Sequence, residues 1–211
     1  MVTRGARGDP DGAAPPLRDS AIEHRVAACL HADVSGYSRL IADDVEATVR
    51  VLTIYRAMIG RIVSRYGGRV IDASGDNLLA EFPAVPGAVR GAVEIQRQLG
   101  ARNAVLPPHR RIEFRVGIDL GEVLVEGSHI YGDCVNVAAR VQEMAAPGGI
   151  CLAGSAFDQI DGSLPLHFEY LGERTVKNVQ RPLRIYRLED QARSGDVGPG
   201  IGRQWLMSQA G

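Results

Sequence analysis

Apolar residues follow two rhythms along the chain, one near 3.6 residues for helices and one of two for strands. The run from Arg25 to Ala32, with Val26, Ala27, Ala28, Cys29 and Leu30 in succession, suits a strand buried on both faces, and the turn-forming group Asp33-Val34-Ser35-Gly36 ends it. From about Asp43 to Arg65, Val45, Val49, Leu52, Ile59, Ile62 and Val63 share one face of a long amphipathic helix, which Gly67-Gly68 stops. Two short extended runs, Arg69 to Ala73 and Leu78 to Phe82, flank Ser74-Gly75-Asp76-Asn77 and predict a hairpin. Pro83 and Pro86 open a second helix with Val85, Ala88, Val89, Ala92, Val93 and Leu99 on its apolar face, followed by a loop from Asn103 to Pro108. Ile112, Phe114, Val116 and Ile118 then alternate with Glu113, Arg115 and Gly117. The group Asp119-Leu120-Gly121-Glu122 reads as a turn and Val123 to Val125 as the returning strand, so a second hairpin is expected there. A helix over about 133–145, a strand near Ile150 to Leu152, a short helix at 154–160 and strands at 166–171 and 183–188 complete the pattern.

The order β-α-ββ-α-β is that of a ferredoxin-like sheet carrying both helices on one face. The expected fold class is therefore α/β, an α+β sandwich with extra C-terminal helices and strands. With 211 residues, 45% of them hydrophobic, the chain is long enough for one domain with a substantial core, placed at residues 23–190. Residues 1–22 are expected to be disordered, because Gly5, Gly8, Pro10, Gly12, Pro15 and Pro16 break any periodicity. Residues 191–211, with Gly195, Gly198, Gly200 and Gly202 around Trp205, are expected to be a flexible tail.

A formal net charge of −1 without a Lys/Arg block leaves no electrostatic footprint for nucleic acid. No run resembles a signal peptide or a membrane span, so a soluble, cytoplasmic protein is expected. Cys29, Cys134 and Cys151 have spacings unlike zinc or disulfide frameworks and read as reduced, mostly buried thiols.

Two groups of residues carry candidate chemistry. Asn136 and Arg140 stand at i and i+4 of the third helix, on one face, where an amide and a guanidinium can address the same phosphate-bearing ligand. Asp33 ends the first strand and Asp76 precedes the third. The ferredoxin-like topology puts those ends side by side, an arrangement suited to two hard cations such as Mg2+ or Mn2+. The small residues Ser35 and Gly36, just before Tyr37, let backbone N–H groups approach phosphate oxygens.

Ala-Asp-Val-Ser-Gly-Tyr-Ser at 32–38, Gly-Asp at 75–76 and Tyr-Gly-Asp-Cys-Val-Asn-Val-Ala-Ala-Arg at 131–140 resemble the catalytic domain of class III nucleotidyl cyclases. Leu78 to Phe82, Arg115-Val116-Gly117-Ile118, and Val176-Lys177-Asn178 with Arg181-Pro182 extend the resemblance, which runs from about residue 24 to 190. It implies that Asp33 and Asp76 bind two metal ions, with the Val34 carbonyl as a further ligand. It also implies that Lys177 contacts the triphosphate, Asn136 orients the ribose and Arg140 stabilises charge developing at the α-phosphorus. Two subunits then share each site, so a homodimer is the implied active form. Asp72 and His129 occupy the positions where adenylyl cyclases of the family usually carry a lysine and an acidic or hydroxyl residue. An ionised Asp72 only accepts hydrogen bonds, so the choice between ATP and GTP stays open. The leading reading is an adenylyl cyclase making cyclic AMP and pyrophosphate from ATP. Its rival is a cyclase-like regulatory domain that dimerises or binds nucleotide with little or no turnover. A diguanylate cyclase is disfavoured because its Gly-Gly-Asp/Glu-Glu-Phe turn is absent.

Overall fold

Strand β1 (Glu23–Val34) is the spine of an eight-stranded sheet in a computed structural model that describes residues 22–160, 162, 164–177, 179 and 181–189. The N-terminal segment up to residue 21, the tail from 190 onward with Trp205, and Asn178 lie outside those residues. The remaining elements are α1 (Tyr37–Asp43), α2 (Val45–Arg65), β2 (Arg69–Asp72), β3 (Asn77–Phe82), α3 (Val85–Asn103), β4 (Phe114–Glu126), β5 (His129–Tyr131), α4 (Asp133–Glu143), β6 (Ile150–Ala153), α5 (Gly154–Phe157), β7 (Phe168–Arg174) and β8 (Leu183–Leu188). Strand order is β2-β3-β1-β4-β6-β8-β7, with β5 paired to β4. β1 is antiparallel to both β3 and β4, and β6 runs parallel to β4. The first four strands thus have the expected ferredoxin-like order.

Alternation along β1 separates two layers. Ala28, Leu30, Ala32 and Val34 face α2 and α3 and join Leu52, Ile59, Phe82, Ile95 and Phe114 in the main core. Ala27 and Cys29 face the other side, in a smaller cluster with Val123, Val125, Ile130, Cys134 and Ala138 under α4. α2 begins at Asp44, whose carboxylate accepts from the Ala47 N–H at 2.9 Å, a capping bond that satisfies one orphan donor of the first turn.

Two local expectations are corrected. The turn-rich stretch after β1 also holds the short helix α1, which the Gly36 N-cap opens in a left-handed conformation (φ 69°). The group 119–122 is no turn: β4 runs unbroken through it, and the hairpin lies further on, where Gly127 (φ 59°) leads from β4 to β5. Gly121 serves close approach. A Cβ there would stand 2.9 Å from Cys134 Cβ, and one on Gly117 would stand 2.2 Å from the Ala138 carbonyl oxygen. These two glycines form a bare strip on β4 on which α4 rests.

Candidate active site

β1 and β3 bring Asp33 and Asp76 together. Asp33 is in register with Asn77, and the Val34 N–H donates to the Asp76 carbonyl oxygen at 3.1 Å, so backbone pairing couples the two carboxylate-bearing ends. The Ser35 N–H donates to the Glu113 carbonyl oxygen at 2.8 Å and anchors the turn into α1. The α1 N–H groups of Arg39 and Leu40 are taken by the Gly36 carbonyl oxygen. Tyr37 is half-buried against the main core.

Three neighbours of this edge were not among the residues expected from the sequence. Arg115, opposite Asp33 on β4, donates from Nη2 to Asp33 Oδ2 at 2.7 Å, leaving its buried Nε without a hydrogen-bond partner. His31 precedes Asp33 by two residues on the same strand face, and its Nδ1 is also buried without a partner. Burial pushes the His31 pKa down, while the charges of Asp33, Glu143 and Asp76 pull it up. Glu143 is the third. The period-two alternation of β1 and β4 could have flagged His31 and Arg115, because both lie on the face that carries Asp33.

Asn136 and Arg140 lie on α4, away from its buried stripe of Cys134, Val137, Ala138, Val141 and Gln142. Asn136 is exposed. Arg140 donates to Glu143 Oε1, so its guanidinium is held by a carboxylate of its own helix. Seating of Cys134 beside Gly121 and of Gln142 beside Gly117 fixes how far along the sheet each α4 residue sits. Asn136 stands near the level of Ala28, about 17 Å along β1 from Asp33 at 1.5 Å per helical and 3.3 Å per strand residue. Within one chain the amide and the metal-type carboxylates therefore do not meet.

Asp72 is exposed at the end of β2, opposite Leu79, and His129 is exposed on β5, opposite Glu126. Lys177 is exposed in the turn between β7 and β8. At the far end of β1, a cleft of about 340 Å³ lies beside Arg25, Arg69 and Glu81, where both guanidiniums donate to the buried Glu81 Oε1.

The donors at the Asp33 edge are all oxygens: two carboxylates and the Val34 carbonyl. Among the described residues no three His, Cys, Asp or Glu side chains converge on one metal-sized site. Two carboxylates with the balance supplied by water and phosphate oxygens suit a magnesium-type ion, so the residues fit such a group.

The family described as "Adenylate and Guanylate cyclase catalytic domain" matches residues 21–190. The chain belongs to this cyclase family. The cyclase domain is similar to a Rhizobium meliloti protein named "Putative adenylate cyclase 3", with 37% identity over 171 residues, 81% of this chain and 29% of that protein. It is also 30% identical over 168 residues, 79% of this chain, to uncharacterized protein Rv2212 of Mycobacterium tuberculosis, of which it spans 42%. The chain thus spans less than half the length of either relative. Among solved structures it resembles an adenylate/guanylate cyclase/hydrolase from Silicibacter pomeroyi, with a TM-score of 0.71 and 35% identity over 80% of this chain and 99% of that one. The adenylyl cyclase CyaB from P. aeruginosa shares the fold, with a TM-score of 0.69 at 22% identity over 84% of this chain and 99% of that one. No helix among the described residues is long and apolar enough to cross a membrane.

Proposed function

We propose that this cyclase domain converts ATP to 3′,5′-cyclic AMP and pyrophosphate at sites shared between two copies of the chain. The observation that carries this reading is the juxtaposition of Asp33 and Asp76 through the Val34-to-Asp76 backbone bond in a chain of this family. A bound pair of magnesium or manganese ions supplies activation of the attacking oxygen and neutralisation of the leaving phosphate. Asp33, Asp76 and the Val34 carbonyl are the groups that would hold those ions, and the hydrogen bond from Arg115 orients the Asp33 carboxylate.

The remaining work is positioning and charge stabilisation. Ser35, Gly36 and Tyr37 shape the turn beside the phosphates, and Lys177 offers an exposed ammonium to the triphosphate. Asn136 orients the ribose so that its 3′-hydroxyl faces the α-phosphorus. Arg140 leaves Glu143 and takes up the charge that develops on the α-phosphoryl oxygens as pyrophosphate departs. The offset of about 17 Å between Asn136 and Asp33 supports a composite site, in which a second copy related by a two-fold axis would supply its α4 to the first copy's Asp33 edge. Asp72 and His129 face the base, with GTP as the competing substrate.

Incubating the purified protein with Mn2+ and either ATP or GTP, followed by chromatography of the products, tests the proposal. The expected outcome is cyclic AMP from ATP, abolished in Asp33→Ala with the dimer retained. Cyclic GMP in excess would reassign the base. Nucleotide binding without product from either substrate would favour the regulatory reading.

A further inference from the structure

Cys29 and Cys134 are buried nucleophiles that the proposed chemistry does not use. Cys29 lies mid-strand in β1, Cys134 in the first turn of α4, and their sulfurs are 2.7 Å apart across 105 residues of chain. That separation is only about 0.7 Å longer than a disulfide bond. Apolar Ala27, Val123, Val125, Ile130 and Ala138 surround the pair, with the bare backbone of Gly121 beside Cys134 and the buried carboxylate residues Glu81 and Asp119 opposite Cys29 on β3 and β4. The third thiol, Cys151, sits in a different cluster with Val137 and Val141 and serves as an internal control.

We infer that Cys29 and Cys134 are a redox-closable pair, joined by a reversible disulfide when the protein meets a hydroperoxide. Cys29 is held mid-strand in β1 whereas Cys134 sits in a helix end that can open, so Cys134 is the attacking sulfur. Its place in the first turn of α4 lets fraying of the helix end admit a small oxidant. Cys134 sulfur attacks one peroxide oxygen, the O–O bond breaks, and a sulfenic acid and one water form. Cys29 sulfur then attacks the sulfenic sulfur, and its proton leaves with the departing hydroxyl as a second water. Two thiols are oxidised by two electrons, and one hydroperoxide is reduced.

The bond would tie the first turn of α4 to β1. Asn136 follows Cys134 by two residues and Asp33 follows Cys29 by four, so the lock holds the two elements that carry the halves of the proposed site. Its effect on turnover rests on the cyclase reading; its formation does not.

Treating the folded, reduced protein with hydrogen peroxide and mapping peptides without reductant decides the matter. The expected result is a Cys29–Cys134 cross-linked peptide with Cys151 still a thiol, a melting temperature raised by roughly 10 °C, and reversal by dithiothreitol. Cys29→Ala and Cys134→Ala each abolish the cross-link and the shift, while Cys151→Ser keeps both. Cyclic AMP formation falls several-fold on oxidation and returns on reduction. Cys29 and Cys134 persisting as thiols, or over-oxidising without a cross-link, would overturn the pairing. A cross-link that leaves turnover untouched would overturn the coupling to α4. If the reduced protein makes no cyclic nucleotide, the proposed function fails, while mass and melting still report on the disulfide.

Discussion

Asp119 lies buried on β4, where the Ser155 hydroxyl and the Leu120 backbone N–H donate to its carboxylate. Burial outweighs those bonds and pushes its pKa up to about 6. The folded state therefore binds this proton more tightly than the unfolded chain, where an aspartate titrates near pH 3.9. Sign follows from linkage: Asp119 costs nothing below about pH 4, and stability falls as pH rises toward about 6. Asp119→Asn is expected to be more stable than wild type at pH 7.5, by an amount of order 1–3 kcal/mol, and to lose that advantage at pH 4. Urea denaturation of both proteins at the two pH values measures it; an equal difference at both would remove Asp119 as the titrating group. On α4, Arg140 is ion-paired with Glu143, and in the proposed reaction that pair competes with substrate. Glu143→Gln frees the guanidinium and is expected to lower KM for ATP about two- to three-fold, consistent with the modest worth of exposed pairs. Arg140→Ala is expected to lower kcat by about 10²–10³, as loss of one transition-state donor does, and steady-state assays of the two variants separate these roles.

Packing of α4 on β4 depends on two missing side chains. The period-two pattern carries β4 past Gly117 and Gly121, but a glycine in that pattern has two readings, a turn or a close approach, and sequence favours neither. Here a Cβ at Gly117 would also stand 2.3 Å from the Gln142 backbone nitrogen, so the helix backbone itself would have to move. Gly117→Ala is expected to cost about 3 kcal/mol or more and to reduce turnover, because α4 carries Asn136 and Arg140. Thermal melting and activity of the variant check both. A melting temperature within a degree or two of wild type would show that α4 is loosely seated. The expected hairpin at 119–122 failed for the same reason. Gly121 accommodates Cys134 and Asp119 is a buried acid held by Ser155, roles that depend on α4 and α5, which lie later in the chain.

For the assembled molecule, the distance between Asn136 and Asp33 makes complementation the natural measurement. In the proposed composite site, Asp33→Ala and Arg140→Ala damage different halves. Mixed in equal amounts, half of randomly assorting dimers are mixed, and each mixed dimer retains one intact site of two. Activity is expected to recover to about a quarter of wild type. If the variants demonstrably exchange subunits and no activity returns, the shared-site arrangement is wrong. Specific activity should also fall on dilution toward the dimer dissociation constant.

Much of this domain is written locally. Helical spacing from Val45 to Val63, the two-residue alternation from Ile112 to Ile118 and the Gly75-Asp76 turn each follow from side-chain periodicity and backbone preference, which act over a few residues. Those signals suffice for the ferredoxin-like order of β1 to β4 with α2 and α3, and for the neighbourhood of Asp33 and Asp76. What they leave undetermined involves partners far apart in the chain. Arg115 meets Asp33 across 82 residues, and Cys29 meets Cys134 across 105. The partnerless Nδ1 of His31 likewise depends on how distant segments pack. Burial, desolvation and strand register are properties of the packed sheet, so no window of sequence contains them.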